Sequence, residues 1–125
     1  MSIFEDKIRV AVIPAFSGAG ASFVSQALAL GLAEEKAGEI SLIETAGASF
    51  FHAMGLEAQY LARAFQDYGL ALEKGEPIKG IRNERAGLNC LFRIPGKSPD
   101  LTVPRLFRLL ASAPGDLQIF DFSGM

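Results

Sequence analysis

The sequence predicts an α/β fold, a doubly wound and mainly parallel sheet with flanking helices. Strand-like and helix-like segments alternate along the chain, which is the pattern of a parallel sheet covered by helices. The first apolar segment runs into a glycine turn and then into a helical pattern. The last apolar segment ends in an acidic residue, Asp121, which a turn follows. Strands that end in polar residues are typical of open α/β sheets that bind ligands at their carboxyl edge.

The first half of the chain supplies two strands and one helix. Residues 8–13 form an apolar run typical of a buried strand. Residues 21 to about 35 carry an apolar stripe with helical spacing, which ends at Gly38. Residues 40–44 are a second short apolar strand whose last residue is Glu44. The helical stripe is Val24, Ala27, Leu28, Gly31 and Leu32.

The middle of the chain predicts a second helix and then a loop. Residues 73–87 have the most loop-like composition of the chain, although Ile78 and Ile81 can pair in a short hairpin. Before this loop, six residues mark one face of the second helix. They are Leu56, Tyr60, Leu61, Ala64, Phe65 and Tyr68.

The last third of the chain supplies two strands and one helix. Residues 88–94 form a third strand, and a third helix follows Pro99 with Asp100 or Thr102 as its cap. Residues 116–124 form a fourth parallel strand, which brings Asp121 to its carboxyl end. We therefore expect residues 18–22, Glu44 and Asp121 to lie near one another. The apolar stripe of the third helix is Val103, Leu106, Phe107 and Leu110.

Composition and charge bound the class of protein. The chain has 125 residues, half of them hydrophobic and 21% charged, which predicts one compact domain spanning residues 1–125. A net charge of −2 predicts no direct nucleic-acid binding. No secretory signal and no transmembrane segment is predicted, so we expect a cytoplasmic protein. Neither Cys90 nor His52 has partners at a catalytic or metal-binding spacing, and Cys90 is expected to be a small core residue.

The glycine turn has the shape of a phosphate-binding loop. The pattern GxxxxGK[ST] places Gly20 at its second glycine, Ala21 at its lysine and Ser22 at its hydroxyl. Backbone N–H groups of Gly18 and Gly20 can present to an anion, with the helix start adding its positive dipole end. The alternative is that the glycines serve only a tight turn. The candidate cofactor-binding residues are Ser17, Gly18, Ala19, Gly20, Ala21, Ser22 and Phe23.

Two residues are candidates for a magnesium site. Ser22 stands where phosphate-binding loops have the hydroxyl that holds Mg²⁺, and Asp121 stands where they have a strand-end carboxylate. A serine at a helix start is also a common cap, and an aspartate after a strand is also a common turn residue.

At these residues the chain resembles the MinD and ParA type of deviant P-loop ATPases, whose loop reads KGGxxGK[ST]. Residues 16–22 look like that loop, residues 40–44 and 88–95 look like the next two strands, and residues 116–124 resemble the Walker B strand. The resemblance implies a dimer, bound ATP or ADP with Mg²⁺, and a role for Glu44 in orienting water or magnesium. The two lysine positions of the family are Phe16 and Ala21 here. The resemblance therefore implies a degenerate P-loop NTPase-like module that is either nucleotide-binding or a pseudo-ATPase. Such a module regulates or localises a partner protein. The resemblance is also compatible with a module that binds no cofactor.

Two alternatives stay open. An active Mg-ATPase would need an arginine, such as Arg82 or Arg85, in place of the missing lysine. A Rossmann-type dinucleotide-binding domain would use the start of a GxGxxG pattern at Gly18 and the acid at Glu44, about 20 residues on. The third glycine position is the bulky Phe23, however, and the turn of residues 14–17 is long for that fold.

The resemblance also predicts what pairs with the edge of the sheet. In the resembled family the chain continues past the Walker B strand. The chain is therefore either naturally short or, as we expect, the N-terminal half of a larger domain. A sheet of four strands would leave a long unpaired edge, which native proteins seldom leave bare. We expect this edge to pair with a missing C-terminal region or with a second copy in a homodimer.

Overall fold

The structure, a computed structural model, describes residues 7–15, 20–35, 38–45, 66–83, 87–93 and 98–122, with the backbone alone at residues 21–22 and 81–83. These residues form the expected α/β arrangement of a mainly parallel sheet with flanking helices. The strands are β1 (Ile8–Val12), β2 (Ile40–Glu44), β3 (Ile81–Asn83), β4 (Leu88–Leu91) and β5 (Leu117–Asp121). The helices are α1 (Ala21–Glu34), α2 (Tyr68–Lys74) and α3 (Val103–Ser112).

The described strands make one sheet in the order β1-β5-β2-β4-β3. β1, β5, β2 and β4 are parallel, and β3 runs antiparallel to β4. The last strand of the chain, β5, therefore lies inside the sheet between β1 and β2. Because the four parallel strands share one direction, their carboxyl ends meet at one edge, which we call the carboxyl edge.

Helices cover the sheet on both faces. On one face α1 packs against a core that contains Ile40 and Leu42 of β2. On the other face α2 and α3 enclose a second core with Ile43 of β2 and Phe120 of β5. Every residue of β2 is buried as a result, which is the burial expected of a central strand covered on both sides.

Side-chain caps explain where two of the helices begin. The Asp67 carboxylate accepts a hydrogen bond from the Leu70 backbone N–H, 3.1 Å away, at the start of α2. The Thr102 hydroxyl caps α3 in the same way, which confirms one of the two expected caps. Gly75 ends α2 in the left-handed conformation with φ of 71°.

The buried faces of α1 and α3 differ from the expected stripes. Val24, Ala27 and Gly31 of α1 are exposed, whereas Ser25 and Ala29 are fully buried. Because α1 is apolar on all its sides, its periodicity does not identify the face toward the sheet. In α3 the exposed apolar residues include two of the expected stripe, and the fully buried residue is Leu109. The two exposed ones are Val103 and Phe107.

The second half of the chain holds further differences. The expected pairing of Ile78 with Ile81 is wrong: Ile81 belongs to β3 and pairs with Cys90 of β4, and Ile78 is buried in the core beneath α2 and α3. Tyr68 is the first residue of α2, while the rest of the expected second helix, residues 56–65, lies outside the described residues. Cys90 is 1% exposed, so the expectation of a core cysteine is confirmed.

Candidate functional site

Two acidic residues lie side by side at the carboxyl edge. Asp121 ends β5 and is in register with Val12 of β1 on one side and with Glu44 of β2 on the other. Neighbouring strands lie about 4.8 Å apart, so the two acids start from adjacent backbone positions. The side chains are almost wholly buried, with 3% of Glu44 and 2% of Asp121 exposed. The expected proximity is thereby confirmed for this pair.

Both acids point to the face of the sheet that α1 covers. Glu44 follows Leu42 by two residues, and Asp121 follows Ile119 by two, and both of these apolar residues belong to the α1 core. Side chains two residues apart in a strand share a face. α1 is the described element that follows β1 in the chain, and the last residue of β1, Val12, lies at this edge. The pair therefore lies on the face that α1 covers, next to the end of the strand that precedes this helix.

Gly20 forms the start of α1 by its backbone. It is the N-cap residue with φ of 86°, a left-handed conformation that favours glycine, and no side chain caps this helix. Ala21 and Ser22 are the first two residues of the helix, and the Phe23 side chain is 76% exposed. The remaining candidates, Ser17, Gly18 and Ala19, lie outside the described residues.

Hydrogen bonds to the backbone fix the ends of β2 and β5. The Thr45 hydroxyl and backbone N–H both donate to the Asp121 carbonyl oxygen, at 2.6 and 3.1 Å. The Tyr68 phenol donates to the Glu44 carbonyl oxygen at 2.6 Å. The backbone that carries Glu44 and Asp121 is therefore fixed by hydrogen bonds from Thr45 and from Tyr68.

Arg93 extends this support to the loop before α3. Its guanidinium donates to the carbonyl oxygens of Thr45 and Pro99 and, over 3.2 Å, to the Ser98 hydroxyl. The Ser98 hydroxyl in turn donates to the Asp67 carboxylate at 2.9 Å. Neither Arg93 nor Tyr68 is among the site residues that the sequence predicts. Both act on carbonyl oxygens far away along the chain, and no local pattern signals such partners.

The electrostatics of this edge keep two ionisable groups neutral. Burial raises the pKa of the Tyr68 phenol far above its ordinary value, against the opposing effect of Arg93 and with smaller contributions from nearby acids. Burial also raises the pKa of the Cys90 thiol, and the charge of Glu44 adds to this. Tyr68 is therefore a hydrogen-bond donor here, and Cys90 is an unreactive core residue.

The described geometry does not favour Arg82 as a substitute for the missing lysine. β3 lies four strand spacings from β1, or about 19 Å. Arg82 pairs with Asn89, which pairs with Ser41 near the amino end of β2, away from the carboxyl edge. Arg85 and His52 lie outside the described residues.

The donor set at the carboxyl edge suits a hard cation. Mg²⁺ is commonly held by one or two carboxylates and takes its other ligands from water and phosphate oxygens. Glu44 and Asp121 fit that requirement. Within the ranges that the structure describes, no group of three or more histidine, cysteine, aspartate or glutamate side chains is placed to hold a metal ion.

The chain matches no known protein family, no curated protein and no solved structure. Of the helices in the described part of the chain, none has the length and apolar composition that crossing a membrane requires. The fold and the site define its class as an α/β protein whose mainly parallel sheet carries two paired acids beside the end of its first described strand.

Proposed function

We propose that the chain is a degenerate P-loop module of the MinD and ParA type that binds a Mg-nucleotide through its phosphates. In this proposal it regulates or localises a partner protein and does not turn the nucleotide over. The observation that supports it best is the register of Asp121, which pairs with both Val12 and Glu44. A strand-end carboxylate thereby stands next to the strand that leads into the glycine turn.

The charges at this edge make magnesium essential to the proposal. A triphosphate beside Glu44 and Asp121 would be repelled, and the lysine that normally offsets such repulsion is Ala21 here. A divalent cation held by the two carboxylates reverses the local sign and bridges to phosphate oxygens. Backbone N–H groups at the start of α1 then supply the remaining contacts to phosphate. Binding without Mg²⁺ is therefore not expected.

Turnover needs more positive charge than the described residues of this edge supply. Phosphoryl transfer is accelerated mainly by positioned cations that stabilise the charge of the transition state. Arg93 follows β4 near the site, but its guanidinium already donates to Thr45, Pro99 and Ser98. A role that depends on binding and not on catalysis fits this arrangement better.

The strand order distinguishes the proposal from the dinucleotide-binding alternative. In the Rossmann order the first two strands of the chain are neighbours. Here β5 separates β1 from β2. In the Rossmann order the dinucleotide binds in the crevice between the first and fourth strands, where the strand order reverses. The described sheet does not have its strands in that order.

Calorimetric titration of ATP and ADP into the whole chain, with and without Mg²⁺, tests the proposal. Asp121→Asn removes the carboxylate at the end of β5. Asp116→Asn makes the same change just before the start of β5, where the exposed side chain accepts a hydrogen bond from the Glu39 N–H. We expect Mg-dependent binding by the parent chain and by Asp116→Asn. Binding by Asp121→Asn is expected to be at least about tenfold weaker.

Three results would contradict the proposal: no binding by the parent chain, binding that ignores Mg²⁺, or binding that Asp121→Asn leaves unchanged. A phosphate-release assay on the same proteins tests the absence of turnover. Sustained release that Asp121→Asn abolishes would favour the active Mg-ATPase instead.

A further inference from the structure

The exposed large apolar side chains of the described residues lie at β1 and on helices of both faces of the sheet. They lie on or next to β1, on α1 and on α3, and none lies on β2, β4 or α2. Soluble proteins rarely expose such side chains together unless another surface covers them. They are Ile8, Ile13, Phe23, Val24, Leu30, Val103 and Phe107, each between 37% and 76% exposed.

β1 is the edge of the described sheet, and its backbone is oriented for pairing. The Ile8 N–H donates to the Asp116 carbonyl oxygen and the Val12 carbonyl oxygen accepts from the Phe122 N–H, so these residues face β5. Backbone groups alternate in direction along a strand, so Ala11 directs its N–H and carbonyl oxygen away from β5. The Ala11 side chain is exposed as well.

α3 continues this edge as an apolar flank. The Leu110 carbonyl oxygen accepts a hydrogen bond from Arg9 of β1 over 2.8 Å, whereas Arg108 on another side of α3 reaches Leu72 of α2. Val103 and Phe107 share the side of the helix with Leu110, because residues three, four and seven apart on a helix are neighbours. We use the name β1-edge surface for Ile8, Ala11, Ile13, Val103 and Phe107.

The cationic side chains at the start of β1, Lys7 and Arg9, do not prevent another strand from pairing with this edge. Edge strands commonly carry lysine or other charges that discourage pairing with another chain. Here the Lys7 ammonium donates to the Ala113 carbonyl oxygen, and Arg9 donates to Leu110, both over 2.8 Å at the end of α3. Because Lys7 and Arg9 already donate to carbonyl oxygens at the end of α3, a second chain that covers this edge does not remove these hydrogen bonds.

We infer that the β1-edge surface binds a second copy of this chain, with β1 antiparallel to β1 of the partner around a two-fold axis. Two-fold dimers are the commonest soluble assemblies, and each surface must then complement itself. With Ala11 opposite the partner's Ala11, Val10 lies opposite the partner's Val12, an apolar pair with no like charges opposed. The two sheets join into one, and the α3 flanks meet across the axis.

The available area is compatible with such a dimer. Four of the five side chains of the β1-edge surface are large and 61% to 72% exposed. At roughly 100 Å² or more each, they supply about half of the ~800 Å² per partner of a standard interface, and the polar rim supplies the rest. None of the five residues of the β1-edge surface is among those proposed to bind the nucleotide, so the inference stands or falls independently of the proposed function.

Sedimentation equilibrium of the whole chain without nucleotide tests the inference. We expect a dimer for the parent chain and a monomer for Ala11→Pro, which removes an N–H that faces away from β5. Phe107→Lys is expected to weaken the dimer at least about tenfold, since it places charge in an apolar contact. Ser112→Lys adds the same charge at an exposed position elsewhere on α3 and is expected to leave the dimer unchanged. A monomeric parent chain, or a dimer that Phe107→Lys leaves intact, would overturn the inference.

Disulfide trapping gives a second measurement that does not depend on a proline in a strand. Directly opposed residues of an antiparallel pair have Cα atoms about 4.5 to 5.5 Å apart, within the range of a disulfide. Ala11→Cys is expected to cross-link the dimer on oxidation, and Ser112→Cys is expected not to. Cys90 is buried and does not compete. Equal cross-linking of the two variants, or none at Ala11→Cys, would count against the β1 pairing.

Discussion

β1 and β2 are strands of similar apolar character, yet they stand in opposite environments. All five residues of β2 are buried, whereas Ile8 at the start of β1 is 61% exposed and Ala11 is exposed as well. The difference comes from position in the sheet: β2 has β5 and β4 as neighbours, and β1 has only β5 among the described strands. We infer that stability resides mainly around β2 and β4, and that the β1 side is the part available for association.

The largest expected effect tests this contrast with two phenylalanines. Phe92 is fully buried beside β2 and β4, and Phe107 is 63% exposed on the β1 side. Phe92→Ala leaves a cavity and is expected to lower the free energy of unfolding by about 3 to 5 kcal/mol. Phe107→Ala is expected to change it by less than about 0.5 kcal/mol in dilute protein. Urea denaturation measures both, and losses of equal size would show that the two sides do not differ.

A second effect sharpens the contrast at the carboxyl edge. Arg93→Met removes donors from the carbonyl oxygens of Thr45 and Pro99, and Thr45 is only 1% exposed. An unsatisfied buried acceptor is expected to cost about 1 to 3 kcal/mol.

Arg105→Met is the matched control for this change. The Arg105 guanidinium donates to the Asp100 carbonyl oxygen in an exposed position, so its loss is expected to cost less than about 0.5 kcal/mol. Thermal unfolding of the two variants separates the cases. If Arg93→Met proved as mild as Arg105→Met, the bonds to Thr45 and Pro99 would not support the site.

The sequence was sufficient to predict the elements that local pattern determines. The bounds of β2 and the start of α1 agree with expectation, because apolar runs and glycine turns act over a few residues. The insertion of β5 between β1 and β2 was not predicted, since strand order depends on contacts between distant segments. The prediction of which face of α1 is buried was wrong for a related reason. A helix that is apolar on all sides does not indicate from its sequence which side faces the sheet.

The candidate site divides in the same way. Glu44 and Asp121 could be predicted because acids at strand ends of a parallel sheet meet at one edge. Arg93 and Tyr68 could not, since they bind the carbonyl oxygens of residues 48 and 24 positions away along the chain. A carbonyl oxygen is common to every residue and therefore leaves no trace in the sequence.

A pH titration tests the buried side by its ionisable groups. Burial raises the pKa of Cys90 and of Tyr68, so the folded state retains protons that the unfolded chain releases. Stability is then complete below the ordinary cysteine pKa of about 8.5 and falls above it by up to about 1.4 kcal/mol per pH unit. Tyr68 adds to this loss above about pH 10.

Cys90→Ala is the variant that assigns this slope. We expect the decline between about pH 8.5 and 10 to flatten in Cys90→Ala, whatever its stability at pH 7. Urea denaturation at four or five pH values measures the slope. A slope that Cys90→Ala leaves unchanged would place the titrating group elsewhere in the chain.

The smallest effect compares two glycines of the first helix region and separates backbone from surface. Gly20 has φ of 86°, and Gly31 lies within α1, and a Cβ at either position would meet no atom within 4 Å. Space is therefore equal, and only conformation differs. Gly20→Ala is expected to cost about 1 to 2 kcal/mol through left-handed strain. Gly31→Ala is expected to stabilise by about 0.5 to 1 kcal/mol, because alanine favours the helix. If the two substitutions change the unfolding temperature in opposite directions, the start of α1 is held in a conformation that favours glycine. The proposed presentation of backbone N–H groups to phosphate requires that conformation. Changes in the same direction would contradict it.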